Sequence, residues 1–321
     1  MSPVVRILAA ADVEALLSLD DCIAAVEEAF RQHGAGTARP PAVLGLEGFH
    51  VKAGVLDLGR RWFAAKVNGN FAGNAAVGLP RIQGVVVLSD GATGVPLAIL
   101  DSVEITRLRT AAATAVAARR LARADAAVAT IIGCGAQAAA QVRAVRRVRP
   151  LRTVFALDVD ADKARALAAA LSDEIEVVVA GDPAAAVRAS AICITCTPAR
   201  EPILFRDLVA PGTFVAGVGA DSADKQELDP ELLAAATVVT DVREQCAAIG
   251  DLHHAIAAGL MTKGDVHADL GEVVAGRRPG RRSDEEVIVF DSTGMALQDV
   301  AAAAAAYERA EAAGRGGVFA L

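Results

Sequence analysis

One short stretch of the chain has the residue types of a phosphate-binding turn. Residues 133–138 read GCGAQA and follow the apolar run 126–132, which predicts a buried strand. A helical pattern comes after the glycines. Gly133 permits a tight turn, Gly135 lets the backbone approach a pyrophosphate, and Ala138 lets the helix pack closely against the strand. Because a helix N-terminus offers free N–H groups to phosphates, the pattern predicts a dinucleotide site.

An acidic residue marks the end of the next predicted strand, where Asp158 follows the apolar residues 153–157. A carboxylate at this place can accept hydrogen bonds from both hydroxyls of a ribose, and it would repel a 2′-phosphate. The alternative is an ordinary glycine turn, because GxGxxA arises by chance in a chain rich in alanine and glycine. The flanking strand and helix, together with Asp158, favour a nicotinamide dinucleotide, and NAD over NADP.

Three basic residues nearer the N-terminus have the chemistry to hold a carboxylate or to move a proton. Lys66 ends the apolar run 62–65, and burial there would lower its pKa toward neutrality, which suits proton transfer. Arg109 lies in a weakly polar stretch of a predicted helix, and Arg39 lies beside two prolines. Guanidinium groups bind carboxylates through paired hydrogen bonds. The alternative for each of these residues is a solvated surface charge.

Polar residues also follow several predicted strands in the second half of the chain. Thr197 follows the strand 191–195 and is placed to line a nicotinamide ribose, and Asp221 follows the strand 213–218. Thr293 follows the last predicted strand. Ligands of an open α/β sheet bind at the carboxyl ends of its strands. We therefore expect these three side chains at the ligand-binding edge of the sheet.

Two sets of predicted secondary-structure elements carry these residues. The first part of the chain has helices within 10–32, followed by alternating stretches that predict antiparallel strands. Farther along, short apolar runs alternate with helical stretches, one of them a single helix over 242–258, which is typical of a doubly wound parallel sheet. The sequence therefore predicts an α/β protein. It would have a Rossmann domain at 125–299 and an α+β domain at 1–124, completed by the C-terminal helix 300–321.

The composition narrows the class of protein. The chain has 321 residues and a net charge of −7, which allows two domains and argues against a nucleic-acid-binding protein. It has no run of about 18 strongly apolar residues and no basic-then-apolar N-terminal segment, which predicts a cytoplasmic protein without membrane contact. Among five cysteines, Cys193 and Cys196 lie three apart in a predicted strand, where side chains point to opposite faces. No metal site is expected.

Together with their neighbours, these residues make the sequence similar to the ornithine cyclodeaminase/mu-crystallin family. The matching segments keep their order from the first domain to near the C-terminus. They are Lys66-Val67-Asn68-Gly69-Asn70, Gly78-Leu79-Pro80, Thr93-Gly94, Leu108-Arg109-Thr110-Ala111-Ala112, Gly133-Cys134-Gly135-Ala136-Gln137, Gly219-Ala220-Asp221, Lys225-Gln226-Glu227-Leu228-Asp229, Asp291-Ser292-Thr293-Gly294 and Gln298-Asp299.

This resemblance implies a homodimer, formed by the first domain and the final helix, with NAD(H) held by the Rossmann domain. It implies that Arg39, Lys66 and Arg109 bind a substrate carboxylate and handle a proton. It also implies that Asp221 is an acid or base, and that Thr293 lies near substrate and nicotinamide. The residues that we assign to cofactor binding are Gly133, Gly135, Ala136, Gln137, Asp158, Thr110, Thr197 and Gly219.

The resemblance leaves two kinds of reaction open. An imine reductase or an alanine-dehydrogenase-type enzyme uses NADH stoichiometrically. An ornithine cyclodeaminase oxidises the amino acid, releases ammonia on ring closure and reduces the ring imine, so that NAD is recycled. The ornithine-specific members carry an acidic residue near 49–54, where this chain has His50 and Lys52. Lys52 would suit a small or anionic side chain, as in members that reduce iminosuccinate to aspartate. The alternative is that it faces solvent.

We therefore predict an NAD(H)-dependent oxidoreductase that acts on a small α-imino or α-amino acid, with ornithine cyclodeaminase as the alternative enzyme. In this hypothesis Arg39 and Arg109 clamp the carboxylate and Lys66 polarises that group or donates a proton. Hydride passes between Cα and the nicotinamide, and Asp221 handles the nitrogen proton or the water. A non-catalytic binding protein, as among mu-crystallin-like members, is the alternative of another class. The complete set of these charged residues argues against it.

Overall fold

The computed structural model describes residues 4–39 and 41–320, so the first of the two prolines beside Arg39 lies outside the described residues. Within this part of the chain, no helix has the length and apolar character needed to cross a membrane. The chain divides into two compact units, one of residues 1–113 and 295–321 and one of residues 114–294. The sequence prediction put the corresponding boundaries at 124 and 299.

The secondary-structure elements are numbered in chain order. The strands are β1 Val4–Leu8, β2 Ala42–Leu46, β3 Phe49–Asp57, β4 Arg61–Asn70, β5 Ile82–Asp90, β6 Pro96–Asp101, β7 Val128–Ile132, β8 Thr153–Leu157, β9 Glu176–Val179, β10 Ile192–Thr195, β11 Arg200–Leu204, β12 Phe214–Gly217, β13 Gln226–Leu228, β14 Thr237–Thr240, β15 Ala268–Asp269, β16 Ile288–Asp291 and β17 Gly317–Ala320. The α-helices are α1 Ala10–Leu16, α2 Leu19–Ala35, α3 Ser102–Leu121, α4 Ala138–Arg146, α5 Ala161–Leu171, α6 Pro183–Arg188, α7 Pro230–Ala235, α8 Arg243–Ile249, α9 Asp251–Ala257, α10 Leu270–Val274 and α11 Ala296–Ala313.

A sheet in the order β17-β1-β6-β5-β4-β3-β2 forms the centre of the first unit. One face is covered by α11, which also packs against α2. Alternate residues such as Trp62, Ala64, Val86 and Leu88 are buried, as the alternation in the sequence predicts. The terminal strands β1 and β17 pair antiparallel. The sequence prediction has no strand at β1, and its C-terminal helix over 300–321 is wrong in its last part, because α11 ends at Ala313 and β17 follows. The pairing of β1 with β17 joins the two ends of the chain and has no local sequence signal.

The other face of this sheet is apolar and exposed. Val67 lies opposite Val51 on β3 and opposite Val85 on β5, and Ile7 lies opposite Ile99. The side chains of Ile7, Val67, Val85 and Ile99 are exposed. A contiguous apolar patch of this kind is typical of a protein–protein interface.

The second unit contains a parallel sheet in the order β15-β14-β16-β12-β10-β7-β8-β9. The chain runs outward from β7 through β8 to β9 and then returns to β10 on the other side of β7. The central strands β10, β12 and β16 are buried along their whole length, as expected for a parallel sheet that is covered on both faces. This arrangement confirms the predicted doubly wound α/β fold. Its strand order reverses between β7 and β10, where such sheets bind their ligands.

The prediction of a single helix over 242–258 is wrong, because the chain bends at Gly250 and forms α8 and α9 instead. A Cβ at Gly250 would lie 2.6 Å from a carboxylate oxygen of Asp291. The missing side chain lets this carboxylate accept hydrogen bonds from the N–H groups of Asp251 and Leu252, at 3.3 and 2.9 Å. A buried carboxylate therefore caps the second helix, which helical periodicity alone does not reveal.

Both cysteines of the CxxC sequence are free thiols. Cys193 is buried within β10, and Cys196 follows the strand and donates through its Sγ to the carbonyl of Gly133 at 3.0 Å. In the described parts of the chain, no group of three or more His, Cys, Asp and Glu side chains is arranged to hold a metal ion.

Candidate active site

The first unit buries a lysine in its sheet. Lys66 on β4 lies opposite Lys52 on β3, so both side chains leave the sheet on the same face. The Nζ of Lys66 lies 2.8 Å from Oδ1 of Asp299 and donates to Oγ1 of Thr106 at 3.3 Å. Lys66 is 3% exposed and Asp299 is 2% exposed. The two charges are therefore compensated inside the protein, as buried charges must be.

Arg109 completes this group from α3. Its Nε lies 3.2 Å from the same Oδ1 of Asp299, and its Nη1 donates to Oε1 of Gln298 at 3.0 Å. Because Asp299 lies in the first turn of α11, one carboxylate joins a strand and two helices. We call Lys66, Arg109 and Asp299 the buried triad.

Burial and neighbouring charges shift the proton affinities in the triad. The pKa of Lys66 is lowered to about 7, chiefly by loss of hydration. Asp299 acts to raise this pKa, and Arg109 and Lys52 act to lower it. Burial acts to raise the pKa of Asp299, but Lys66 and Arg109 outweigh it, so this pKa is below its usual value. Near neutral pH the triad can therefore give or take a proton at Lys66 while Asp299 stays ionised.

Three buried polar atoms belong to β4 and α11, the elements that carry Lys66 and Asp299. Oδ2 of Asp299, Nε2 of Gln298 and Oδ1 of Asn68 are buried and have no hydrogen-bond partner within the described residues. Buried polar atoms normally find a partner, in the protein or in bound water or ligand. Nε2 of Gln298 is a donor for an anionic group, as are Lys66 and Arg109, whereas the two oxygens accept hydrogen bonds. The region can therefore bind a small ligand that carries both an anionic group and N–H donors.

The sequence assigns two other residues of the first unit to binding, Arg39 and Thr110. Arg39 is exposed in the segment after α2. Thr110 is buried on α3, and its hydroxyl donates to the carbonyl of Thr106 at 2.7 Å. Their assignment to substrate and cofactor stays a prediction.

The second unit has a cavity of about 680 Å³ at the carboxyl ends of its strands. It lies at the reversal of strand order and is lined mainly by apolar atoms. The polar or glycine residues that line it include Gly133, Gly135, Asp158 and Thr197. The cavity is therefore where the sequence predicts a dinucleotide.

The glycine turn fits a pyrophosphate. Gly133 has φ +96°, and a Cβ there would lie 2.6 Å from Cγ2 of Thr197 and 2.9 Å from the carbonyl oxygen of Cys196. A Cβ at Gly135 would meet nothing within 4 Å among the described residues, so the backbone is open to a ligand there. The first glycine thus shapes the turn and the second leaves space. This space is the observation that fits NAD(H) to the site.

Asp158 and the start of α4 supply the polar groups of this turn. Oδ2 of Asp158 accepts from the N–H of Cys134 at 2.7 Å, and Oδ1 accepts from the N–H of Asp160 at 2.9 Å. Gln137 precedes α4, with Oε1 buried and without a partner in the described residues, and Ala136 is exposed beside it. Asp158 therefore orders the glycine turn as well as facing the cavity.

A residue to which the sequence analysis gives no role holds the neighbouring strand ends. Glu227 accepts hydrogen bonds from Thr197, Thr195 and the N–H of Gly219. It is fully buried, and burial raises its pKa to about 7, with Asp251 acting in the same direction. Asp299 is likewise missed as a site residue. For Asp299 the available signal is an acidic residue at the start of an otherwise largely apolar helix, whereas Glu227 has polar neighbours in the sequence and no such signal.

The two remaining predicted residues have partners within the second unit. Asp221 is exposed and forms an ion pair with Lys225. Thr293 is buried; its hydroxyl donates to Oδ1 of Asp241 at 3.2 Å and accepts from Nε2 of Gln245 at 2.8 Å. Thr293 thus has a structural contact in addition to the substrate role that was predicted for it.

Comparison with known proteins identifies relatives of this chain. The model of the ornithine cyclodeaminase/mu-crystallin family matches residues 4–314. An archaeal alanine dehydrogenase dimer with bound NAD has a TM-score of 0.93 and 38% identity, and the similarity covers 98% of this chain and 99% of that one.

Two further solved structures are similar over nearly their whole length. The Delta(1)-pyrroline-2-carboxylate reductase of Thermococcus litoralis, in complex with NADH and L-proline, has a TM-score of 0.90 and 31% identity, covering 97% of this chain and 99% of that one. The iminosuccinate reductase of Paracoccus denitrificans, in complex with NAD⁺, also has a TM-score of 0.90 and 31% identity, covering 99% of this chain and 100% of that one.

Proposed function

The chain belongs to the ornithine cyclodeaminase/mu-crystallin family and is an NAD(H)-dependent enzyme of amino or imino acids, and we propose that it reduces a small α-imino acid to the amino acid. The observation that carries this proposal is the buried triad with Lys52 beside it. Lys66 and Arg109 both face the carboxylate of Asp299, and Lys52 leaves the sheet on the same face as Lys66. These cationic groups favour an anionic substrate, and the carboxylate of an α-imino acid supplies that charge.

The reaction needs a hydride at the imine carbon and a proton at the imine nitrogen, so that the C=N double bond becomes a single bond. Bound NADH would supply the hydride. Arg109 holds the substrate carboxylate, and Lys66 donates the proton from Nζ. With a pKa of about 7, Lys66 is protonated in a large fraction of molecules at neutral pH. Asp221 is a second candidate for handling the nitrogen proton or a water, and Arg39 a second carboxylate ligand.

A substrate panel tests this function. NADH consumption would be followed with pyruvate, glyoxylate and oxaloacetate, each with ammonia, and with pyrroline- and piperideine-2-carboxylate. Ammonia release from ornithine and lysine at catalytic NAD⁺ would be followed in parallel. We expect stoichiometric NADH consumption with one of the imines. Ammonia release without net change in NADH would instead establish a cyclodeaminase.

Lys52 gives a prediction about the substrate side chain. Because Lys52 adds a second ammonium beside Lys66, we expect the imine derived from oxaloacetate to be the preferred substrate. Lys52→Met should lower kcat/KM for that dicarboxylic imine about tenfold more than for the imine of pyruvate. Lys263→Met, at a lysine half exposed in the second unit, is the control. Equal losses of kcat/KM for both imines would show that Lys52 does not bind the side chain of the substrate.

We also propose that the exposed apolar face of the first sheet joins two copies of this chain. The support is the row of valines across β3, β4 and β5, together with the dimer formed by the archaeal alanine dehydrogenase relative. Because this face is apolar and water-exposed in a single copy, its burial against a second copy would stabilise the dimer.

One added charge tests this interface. Val67→Asp would place a carboxylate in the apolar face, and we expect the dimer dissociation constant to rise about a hundredfold or more. Ala24→Asp adds the same charge at an exposed position of α2 and should leave the dimer intact. Sedimentation velocity over a range of concentrations measures both variants. A Val67→Asp protein that stays dimeric would rule out this face as the interface.

A further inference from the structure

Glu227 makes an unusual number of hydrogen bonds for a buried carboxylate. Oε1 accepts from the N–H and the hydroxyl of Thr197, at 2.6 and 2.8 Å. Oε2 accepts from the hydroxyl of Thr195 at 2.8 Å and from the N–H of Gly219 at 2.7 Å. Every lone-pair direction of the carboxylate is used by a donor, so only the ionised side chain satisfies all four.

The donors come from the ends of two neighbouring central strands. Thr195 is the last residue of β10, Thr197 follows it, and Gly219 follows β12. Thr197 also lines the cofactor cavity and packs against the glycine turn, because a Cβ on Gly133 would lie 2.6 Å from its methyl group. The carboxylate thus ties together the strand ends on the β10 side of the reversal of strand order.

The position of Glu227 is itself fixed. The N–H groups of Glu227 and Leu228 donate to Oδ1 of Asp251, at 2.8 and 2.9 Å. Asp251 in turn donates through its N–H to Asp291 at the end of β16. The buried carboxylates of Glu227, Asp251 and Asp291 therefore connect β13, α9 and β16. Glu227 links this group to the loops that carry Thr197 and Gly219. Burying such groups is costly, which points to a function for the geometry that they hold.

We propose that Glu227 is the positioning residue for the nicotinamide half of the cofactor. A dinucleotide spans the reversal of strand order, with its adenosine ribose on the side of Asp158, at the end of β8. The nicotinamide half then lies on the side of β10 and β12, where Thr197 and Gly219 are held by Glu227. The residue acts through these two loops and does not contact the reacting atoms.

Glu227→Gln tests the proposal because glutamine keeps the shape but offers one oxygen and brings two N–H groups against donors. The affinities for NADH and for AMP, which lacks the nicotinamide half, would be measured by calorimetry. We expect NADH affinity to fall about tenfold or more and AMP affinity to stay within about twofold. Glu231→Gln, at an exposed position of α7, is the control and should change neither affinity.

A second comparison separates positioning from general damage to the fold. Thr197→Val removes one of the four donors and should weaken NADH binding by a smaller factor than Glu227→Gln. In the double variant the two losses should be less than additive, because both act on the same contact. Equal losses of AMP and NADH affinity, unchanged NADH affinity, or additive losses in the double variant would each overturn the proposal. Thermal unfolding of each variant establishes that it is folded.

Discussion

Lys66→Met is expected to lower kcat for imine reduction about a thousandfold while NADH affinity stays within about twofold. The variant removes the ammonium that lies 2.8 Å from Asp299, and with it the proposed proton donor. Methionine fills a similar apolar volume at this buried position. Arg109 lies 3.2 Å from Asp299, so the carboxylate still has a cationic partner in the variant. The loss should therefore appear in catalysis more than in folding.

Three measurements separate these effects. Steady-state rates with the preferred imine give kcat, quenching of protein fluorescence gives NADH affinity, and thermal unfolding gives stability. Lys263→Met is the matched control, because this lysine is half exposed and paired with Glu244 in the second unit. A kcat within about tenfold of the unmodified enzyme would exclude Lys66 as the proton donor. Loss of NADH binding would assign it a cofactor role instead.

The Rossmann unit was largely predictable because its signals are local. A buried strand, the glycine turn and the following helix are contiguous in sequence, and Asp158 follows the next strand. Each of these elements is set by residues within a few positions of one another. The structure differs at Gly250, where hydrogen bonds to Asp291 interrupt a stretch with helical periodicity. It also has short elements that the sequence prediction lacks, namely β11, β13, β15, α7 and α10.

The triad was predictable only in part. Lys66 and Arg109 stand out as cationic residues in apolar surroundings, but their carboxylate partner is 233 residues from Lys66 in the chain. No local pattern joins positions that far apart, because the contact exists only once α11 packs on the sheet. Lys52 lies opposite Lys66 because of the register between β3 and β4, and the sequence alone does not determine this register.

Glu227 shows a different limit of sequence reasoning. Its neighbours Gln226 and Asp229 are polar, and a single glutamate among such residues is ordinarily a solvated charge. The four donors come from Thr195, Thr197 and Gly219, which only the parallel pairing of β10 with β12 brings together. The chemical importance of such a residue follows from tertiary structure alone.

A matched pair of glycine substitutions gives the second large effect. Gly133→Ala should lower both the stability of the fold and the affinity for NADH. An alanine at φ +96° costs about 1–3 kcal/mol, and its Cβ would overlap Thr197 and the backbone of Cys196. For a chain of this size that cost lowers the unfolding temperature by about 2–4 °C, and the overlap with Thr197 and Cys196 lowers it further. The substitution would therefore distort the glycine turn of the unliganded protein, and NADH binding would weaken as a consequence.

Gly135→Ala should have the opposite pattern. Among the described residues nothing lies within 4 Å of a Cβ built on Gly135, so the unfolding temperature should stay within about 2 °C. NADH affinity should nevertheless fall about a hundredfold, because the methyl group takes the space through which the backbone approaches the pyrophosphate. Thermal unfolding with and without NADH, together with calorimetric titration, distinguishes the two variants. Unchanged NADH affinity in Gly135→Ala would show that the pyrophosphate lies elsewhere in the cavity, since a ligand at this turn cannot avoid the added atom.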